Sequence, residues 1–140
     1  MNAALAQKWA IEALAIMYNI LYIQSMSGLK DILWEGNSYE DLMSFPQEVR
    51  HDLGYQLHLV QSGEMPQDWK VLSGLGKGIS GVYEIRISEG SNIYRTAYVA
   101  KFSDTVAVLH CWQKKTQKTS ESDKALIVQR YRSAKEFLND

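Results

Sequence analysis

Arg86, Arg95 and Lys101 stand at alternating positions of apolar, strand-like segments, and a run of lysines follows a third such segment. These residues carry the clearest chemistry in the sequence. The run Trp112-Gln113-Lys114-Lys115-Thr116-Gln117-Lys118-Thr119-Ser120 comes just after Thr105–Leu109 and mixes cations with neutral hydrogen-bonding side chains, with no acid among them. That mixture suits a phosphate-rich ligand. Alone, such a cluster is more often a solvated turn between a strand and a helix. The strand arginines alter the balance, because cations gathered on one sheet face repel each other until an anion neutralises them. Pairing of one arginine with Glu84 is the structural alternative, and surface pairs of that kind contribute little.

The set is chemically adequate for cutting RNA without a metal. The reaction needs an activated 2′-hydroxyl, a stabilised pentavalent phosphate and a protonated 5′-oxygen. Arginine offers forked donors to phosphoryl oxygens and stays charged throughout. Lysines crowded among cations have lowered pKa values and exchange protons nearer neutrality. His110 is a candidate base, although a histidine inside an apolar strand is more often a satisfied core residue. Trp112 and Tyr94 could stack on bases, and core filling accounts for them equally well. Gly74-Leu75-Gly76-Lys77-Gly78 resembles a phosphate loop but lacks the Walker spacing, no Gly-x-Ser-x-Gly elbow is present, and Cys111 lies mid-strand where a thiol is inert.

The elements that must position these residues follow from periodicity. Leu29–Trp34 reads as a strand ended by Gly36-Asn37, and Ser38-x-x-Asp41 as a capping box opening a helix. Pro46 suits the first turn of the next helix, in which Val49, Leu53, Leu57 and Val60 form one apolar stripe ended by Gly63. Leu72–Gly81 is a glycine-rich loop. Val82–Ser88, Asn92–Phe102 and Thr105–Gln113 read as three antiparallel strands joined by short turns. Tyr83, Ile85 and Ile87 then share one face, with Glu84 and Arg86 on the other. Arg95, Ala97, Val99 and Lys101 likewise share a face, which would bring Arg86, Arg95 and Lys101 together. Ser120-x-x-Asp123 opens a last helix with Ile127, Tyr131, Ala134 and Leu138 on one side. The order is β-α-α-β-β-β-α, an α+β fold with helices on one face of a mainly antiparallel sheet.

With 140 residues the chain forms one domain, residues 29–140, preceded by an apolar helical extension, residues 1–28. Its net charge of −1 hides a segregation of sign. Residues 30–69 hold eight acidic and two basic side chains, and residues 70–118 hold eight basic and three acidic. An anionic ligand responds to the local potential of that basic half. The single cysteine excludes an internal disulfide and no Cys/His spacing suits zinc, so neither metal nor cofactor is expected and the cytoplasm is the natural compartment. Trp9–Ile23 is interrupted by Glu12 and Asn19 and falls short of the ~20 clean apolar residues of a membrane span. It has neither a basic leader nor a cleavage site. It is expected to be a helix packing on the domain or on a second copy in a homodimer, unless Met26 is the functional start.

Gly36-Asn37-Ser38-Tyr39-Glu40-Asp41-Leu42, Asp52-Leu53-Gly54-Tyr55-Gln56-Leu57, Lys70-x-Leu72-x-x-Leu75-Gly76-x-Gly78, Tyr83-Glu84-Ile85-Arg86, Tyr94-Arg95-x-x-Tyr98-Val99-Ala100-Lys101 and Leu109-His110-x-x-Gln113-Lys114-Lys115-Thr116-Gln117-Lys118-Thr119 occur in that order. Together, over about residues 29–138, they resemble the phage-related branch of the HigB/RelE toxin family. The resemblance implies a RelE-like fold with two N-terminal helices on a small sheet. It implies the toxin of a type II toxin–antitoxin system, an endoribonuclease that cuts mRNA on the ribosome without metal, held inactive by a HigA-like helix-turn-helix antitoxin. The family's strand arginines carry over to Arg86 and Arg95, and its basic strand end to Lys114 and Lys115. RNA contacts fall to Lys77, Lys101, Trp112, Gln113 and Lys118. Residues 1–24 depart from the family, and Tyr131 lies on the apolar stripe rather than at a catalytic position. The general base is therefore open between lysine, His110 and tyrosine. A gyrase-poisoning ParE-like toxin and a phage-derived interaction module are the alternatives.

Overall fold

Val82–Glu89 and Asn92–Val99 alternate apolar and polar side chains on either side of Gly90-Ser91, and the chain reverses there with Gly90 at φ 61°. Only glycine adopts that conformation without strain, so the hairpin is set locally. In a computed structural model, which describes residues 2–25, 28–114 and 118–138 (for 18–25 the backbone alone), this hairpin lies at the centre of the fold. The elements are α1 (Ala3–Ser25), β1 (Asp31–Trp34), α2 (Ser38–Met43), α3 (Gln47–Gln61), β2 (Trp69–Val71), β3 (Val82–Glu89), β4 (Asn92–Val99), β5 (Thr105–Lys114) and α4 (Glu121–Phe137). The sheet runs β1-β5-β4-β3-β2, with β1 parallel to β5 and the other neighbours antiparallel.

The α+β class stands, and the expected order gains one strand. Helix α1 lies within the expected N-terminal extension, ahead of β1, and β2 adds an edge strand that three residues are too few to announce by periodicity. The helices also lie on both faces of the sheet rather than one. Ile85, Ile87, Tyr94, Tyr98, Val106 and Val108 pack under α2 and α3, against Leu42, Val49, Leu53, Leu57 and Val60. Val82, Ala97, Val99, Ala107 and Leu109 pack under α4, against Ile127, Tyr131 and Ala134. The cause lies in β5, whose Val106-Ala107-Val108-Leu109 is apolar at consecutive positions and so needs cover on both sides. Each large aliphatic side chain buried this way contributes about 1.5–3 kcal/mol.

Two local details bear on the site. Ala97 pairs with His110 and Tyr98 with Val108, so Leu109 is the extra residue of a β-bulge. The bulge turns both Leu109 and His110 toward α4, and strict alternation could not have predicted that. The caps also differ. Ser120 closes α4 as expected, its Oγ accepting from the Asp123 N–H at 3.1 Å. Ser38 is not a cap. It begins α2 behind Asn37, and its hydroxyl donates to the Val108 carbonyl at 3.2 Å, pinning α2 to the sheet. Pro46 stands just before the first turn of α3 rather than inside it.

Helix α1 differs from the rest. Side chains from Ala3 to Met17 are all exposed, with Trp9 at 56% and Leu14 at 64% of full accessibility. Among the described residues no helix is long and apolar enough to cross a membrane.

Candidate functional site

The β3–β4–β5 register carries Arg86, Arg95 and Lys114 toward one end of the sheet face on which α4 packs. Arg86 is the cross-strand partner of Arg95, Arg95 faces Trp112, and Ile93 faces Lys114. Edge strand β2 adds Lys70, the partner of Glu84. Alternation brings these cations together, because each occupies a position of its strand that points the same way. Helix α4 covers the other end of that face.

Glu84 organises the cluster. Its Oε1 accepts from Arg95 at 2.9 Å and its Oε2 lies 3.3 Å from the Lys70 ammonium, with the Glu84 side chain fully sealed and that of Arg95 3% exposed. Arg86 forms a forked contact with Asp68 at 3.0 and 3.1 Å and remains open to water, as does Lys70. Lys114 is buried beside them. Burial first, then the charges of Arg95, Lys70 and Arg86, hold its ammonium below the usual lysine range, with Glu84 acting in the opposite sense. Inside a face of low polarity this field is felt strongly, and an entering phosphate would relieve the repulsion.

The expected residues therefore divide. Arg86, Arg95 and Lys114 converge. Arg95 does so from within the sheet, where the Glu84 pair holds it and its buried Nε has no hydrogen-bond partner. Lys115 lies outside the described residues. Lys101 does not join the cluster. It follows the end of β4, about 20 Å along the strand direction from Arg95. There its ammonium donates to Ser80 Oγ at 2.7 Å and sits over the Phe102 and Tyr131 rings. Lys77 is exposed in the glycine-rich loop leading to Ser80, and Lys118 is exposed just before α4. Gln113 is exposed and its amide donates to Asn92 at 3.0 Å.

Neither aromatic candidate offers a free ring. Tyr94 is buried against Phe45 with centroids 4.8 Å apart, on the opposite face from the cations. Trp112 is 9% exposed and stacks on His110 at 4.8 Å and 13°. His110 is a satisfied core residue. Its Nε2 lies 2.7 Å from Asp123 Oδ1, and Ser120 Oγ donates to the other Asp123 oxygen at 2.6 Å. Arg130 donates to the Leu109 carbonyl at 3.0 Å and approaches His110 Nδ1 at 3.4 Å. The acid stands between the serine and the imidazole, so this is no nucleophilic triad, which requires the imidazole in the middle. Tyr131 is buried. Burial raises its hydroxyl pKa, yet the Lys101 ammonium and the Ser80 backbone together outweigh it and bring it below the usual tyrosine range.

Lys70 is the site residue that sequence reasoning missed. Its one signal, the alternation Trp69-Lys70-Val71, is too short to separate from a loop.

The model of the phage-derived Gp49-like protein family matches residues 40–132, about two thirds of the chain. The matched stretch runs from α2 into α4 and holds Lys70, Glu84, Arg86, Arg95 and Lys114, whereas α1 and β1 lie outside it. No curated protein matches the chain. The family is associated with toxin–antitoxin modules. With α3, strands β2 to β5 and the cation cluster all within the matched stretch, the chain belongs to the phage-derived Gp49-like protein family (DUF891).

Proposed function

We propose that this protein is the toxin of a type II toxin–antitoxin module, with a RelE-like fold of the HigB type, and that it cuts mRNA on the ribosome without a metal. The observation that carries the reading is the gathering of Lys70, Arg86 and Lys114 around the buried Glu84–Arg95 pair. Arg86 reaches solvent and grips the non-bridging phosphoryl oxygens. Lys114, with its lowered pKa, moves the proton to or from the reacting oxygens, and Lys115 assists it. Arg95 acts from below as a fixed positive charge. Lys77, Lys101 and Lys118 hold RNA or ribosomal backbone away from the cut. A cognate HigA-like antitoxin holds the toxin inactive in the cytoplasm.

Induced expression tests this. Growth arrest with ribosome-dependent mRNA cuts is expected, and Arg86→Ala should lower cleavage about 10²-fold or more. Unchanged cleavage by Arg86→Ala removes that residue from the mechanism. The burial of Arg95 favours a second reading, a non-catalytic toxin of the same fold that binds gyrase through this face. Growth arrest with DNA damage and intact mRNA would select it.

A further inference from the structure

Helix α1 shows large apolar side chains in every direction, among them Leu5, Trp9, Ile11, Leu14 and Ile16. A helix that is apolar all round is normally covered on most sides. Its only charged residues are Lys8 and Glu12, one turn apart. A groove of about 670 Å³ runs between Leu75, in the glycine-rich loop, and the outer side of α4, with Ala125 and Val128 as its apolar floor and Arg132 and Glu136 at one end. Glu121 and Lys124 at the other end pair with each other at 3.7 Å. Lys8, Glu12, Arg132 and Glu136 take part in no ion pair among the described residues.

We infer that α1 docks antiparallel on the outer side of α4 in a second copy of the chain, and that each copy's α1 fills the other's groove. In this register Lys8 meets Glu136, Glu12 meets Arg132, and Ile16 lands on Val128. Both pairs are spaced by about 6 Å, four residues at 1.5 Å each. The parallel arrangement would set Lys8 on Arg132 and Glu12 on Glu136, like on like. The ion pairs select register and direction, and burial of apolar surface provides the affinity.

The chain's own α1 cannot take this place. Asp31, where β1 begins, lies beside Thr105 at the start of β5, whereas the first turn of α4 meets β5 at His110 through Asp123. That is about 16 Å along the strand. A helix on the outer side of α4 is two layers from the sheet, about 18 Å. The combined separation of about 24 Å exceeds the ~21 Å that six residue steps from Ser25 to Asp31 can span. The exchange is therefore reciprocal between copies, as a two-fold interface requires.

Sedimentation velocity on the full chain, without antitoxin, should show a dimer of the 16.0 kDa chain. Glu136→Lys should weaken dimerisation about tenfold, and adding Lys8→Glu should restore most of it. Mixing chains carrying Ile16→Cys with chains carrying Val128→Cys should give a disulfide-linked pair on oxidation, at a yield well above Ile16→Cys chains alone. A monomer at tens of micromolar, or cross-linking by Ile16→Cys alone that equals the mixture, overturns the proposal.

Discussion

The Arg95 guanidinium donates to the Glu84 carboxylate at 2.9 Å, and both side chains are closed to water. Around this neutral core the accessible cations Lys70 and Arg86 and the buried Lys114 are arranged. The buried pair holds the centre of β3 and β4 in register. It also fixes the Arg95 guanidinium so that it cannot swing away.

Removing one partner should cost far more than removing both. Glu84→Leu leaves an uncompensated buried guanidinium, and urea unfolding should report a loss of about 3–5 kcal/mol. Glu84→Leu combined with Arg95→Met should recover most of that loss, since apolar replacement of a buried pair is often neutral or stabilising. A single variant as stable as the wild type would mean that the pair is open to solvent.

Lys114 sets a pH dependence whose sign is definite. Its folded pKa lies below the ordinary value of 10.5, so between the two the unfolded state binds more protons and stability rises with pH. Below its folded pKa the ammonium must be held charged among cations, and that cost is fully present. Lys114→Met should therefore relieve that cost and raise the thermal midpoint at neutral pH. The gain should shrink toward zero as pH rises through 10.5. A gain that is constant with pH would point to packing instead.

Cys111 should be inert in the native protein. Burial, chiefly, pushes its thiol up to about 12, against a weaker opposing contribution from the Thr96 hydroxyl at 3.4 Å. A thiol-specific reagent at pH 8 should label it only at the rate of unfolding and react at once in denaturant. Rapid native labelling would show that α2 and α3 leave that face of β5 uncovered.

Asp123 joins α4 to the bulge in β5 through its 2.7 Å contact with His110. Asp123→Ala removes that contact and the acceptor of the Ser120 hydroxyl, so chemical unfolding should show a loss of about 1–3 kcal/mol. His110→Ala in the same background should add less than it does alone, because the two residues share one interaction. Full additivity would break the link between them.

Several features were legible in the residues themselves. Val49, Leu53, Leu57 and Val60 are the buried stripe of α3, Ser120 caps α4, and Gly90 turns the hairpin that places Arg86 beside Arg95. Each depends on a period or a dihedral preference expressed within a few consecutive residues, which the sequence by itself determines. The remainder belongs to pairings between distant segments. Strand β1 lies parallel to β5, more than seventy positions away, and so removes a free edge. The bulge after Ala97 turns His110 from one face to the other. Lys70 enters the cluster only because β2 adds to the edge of β3. The burial of Arg95 beneath Glu84 follows from how closely the strands pack there, not from its place in the chain. Alternation assigns a side chain to a face. Only the tertiary structure decides whether that face is open, because closure depends on which distant element packs over it.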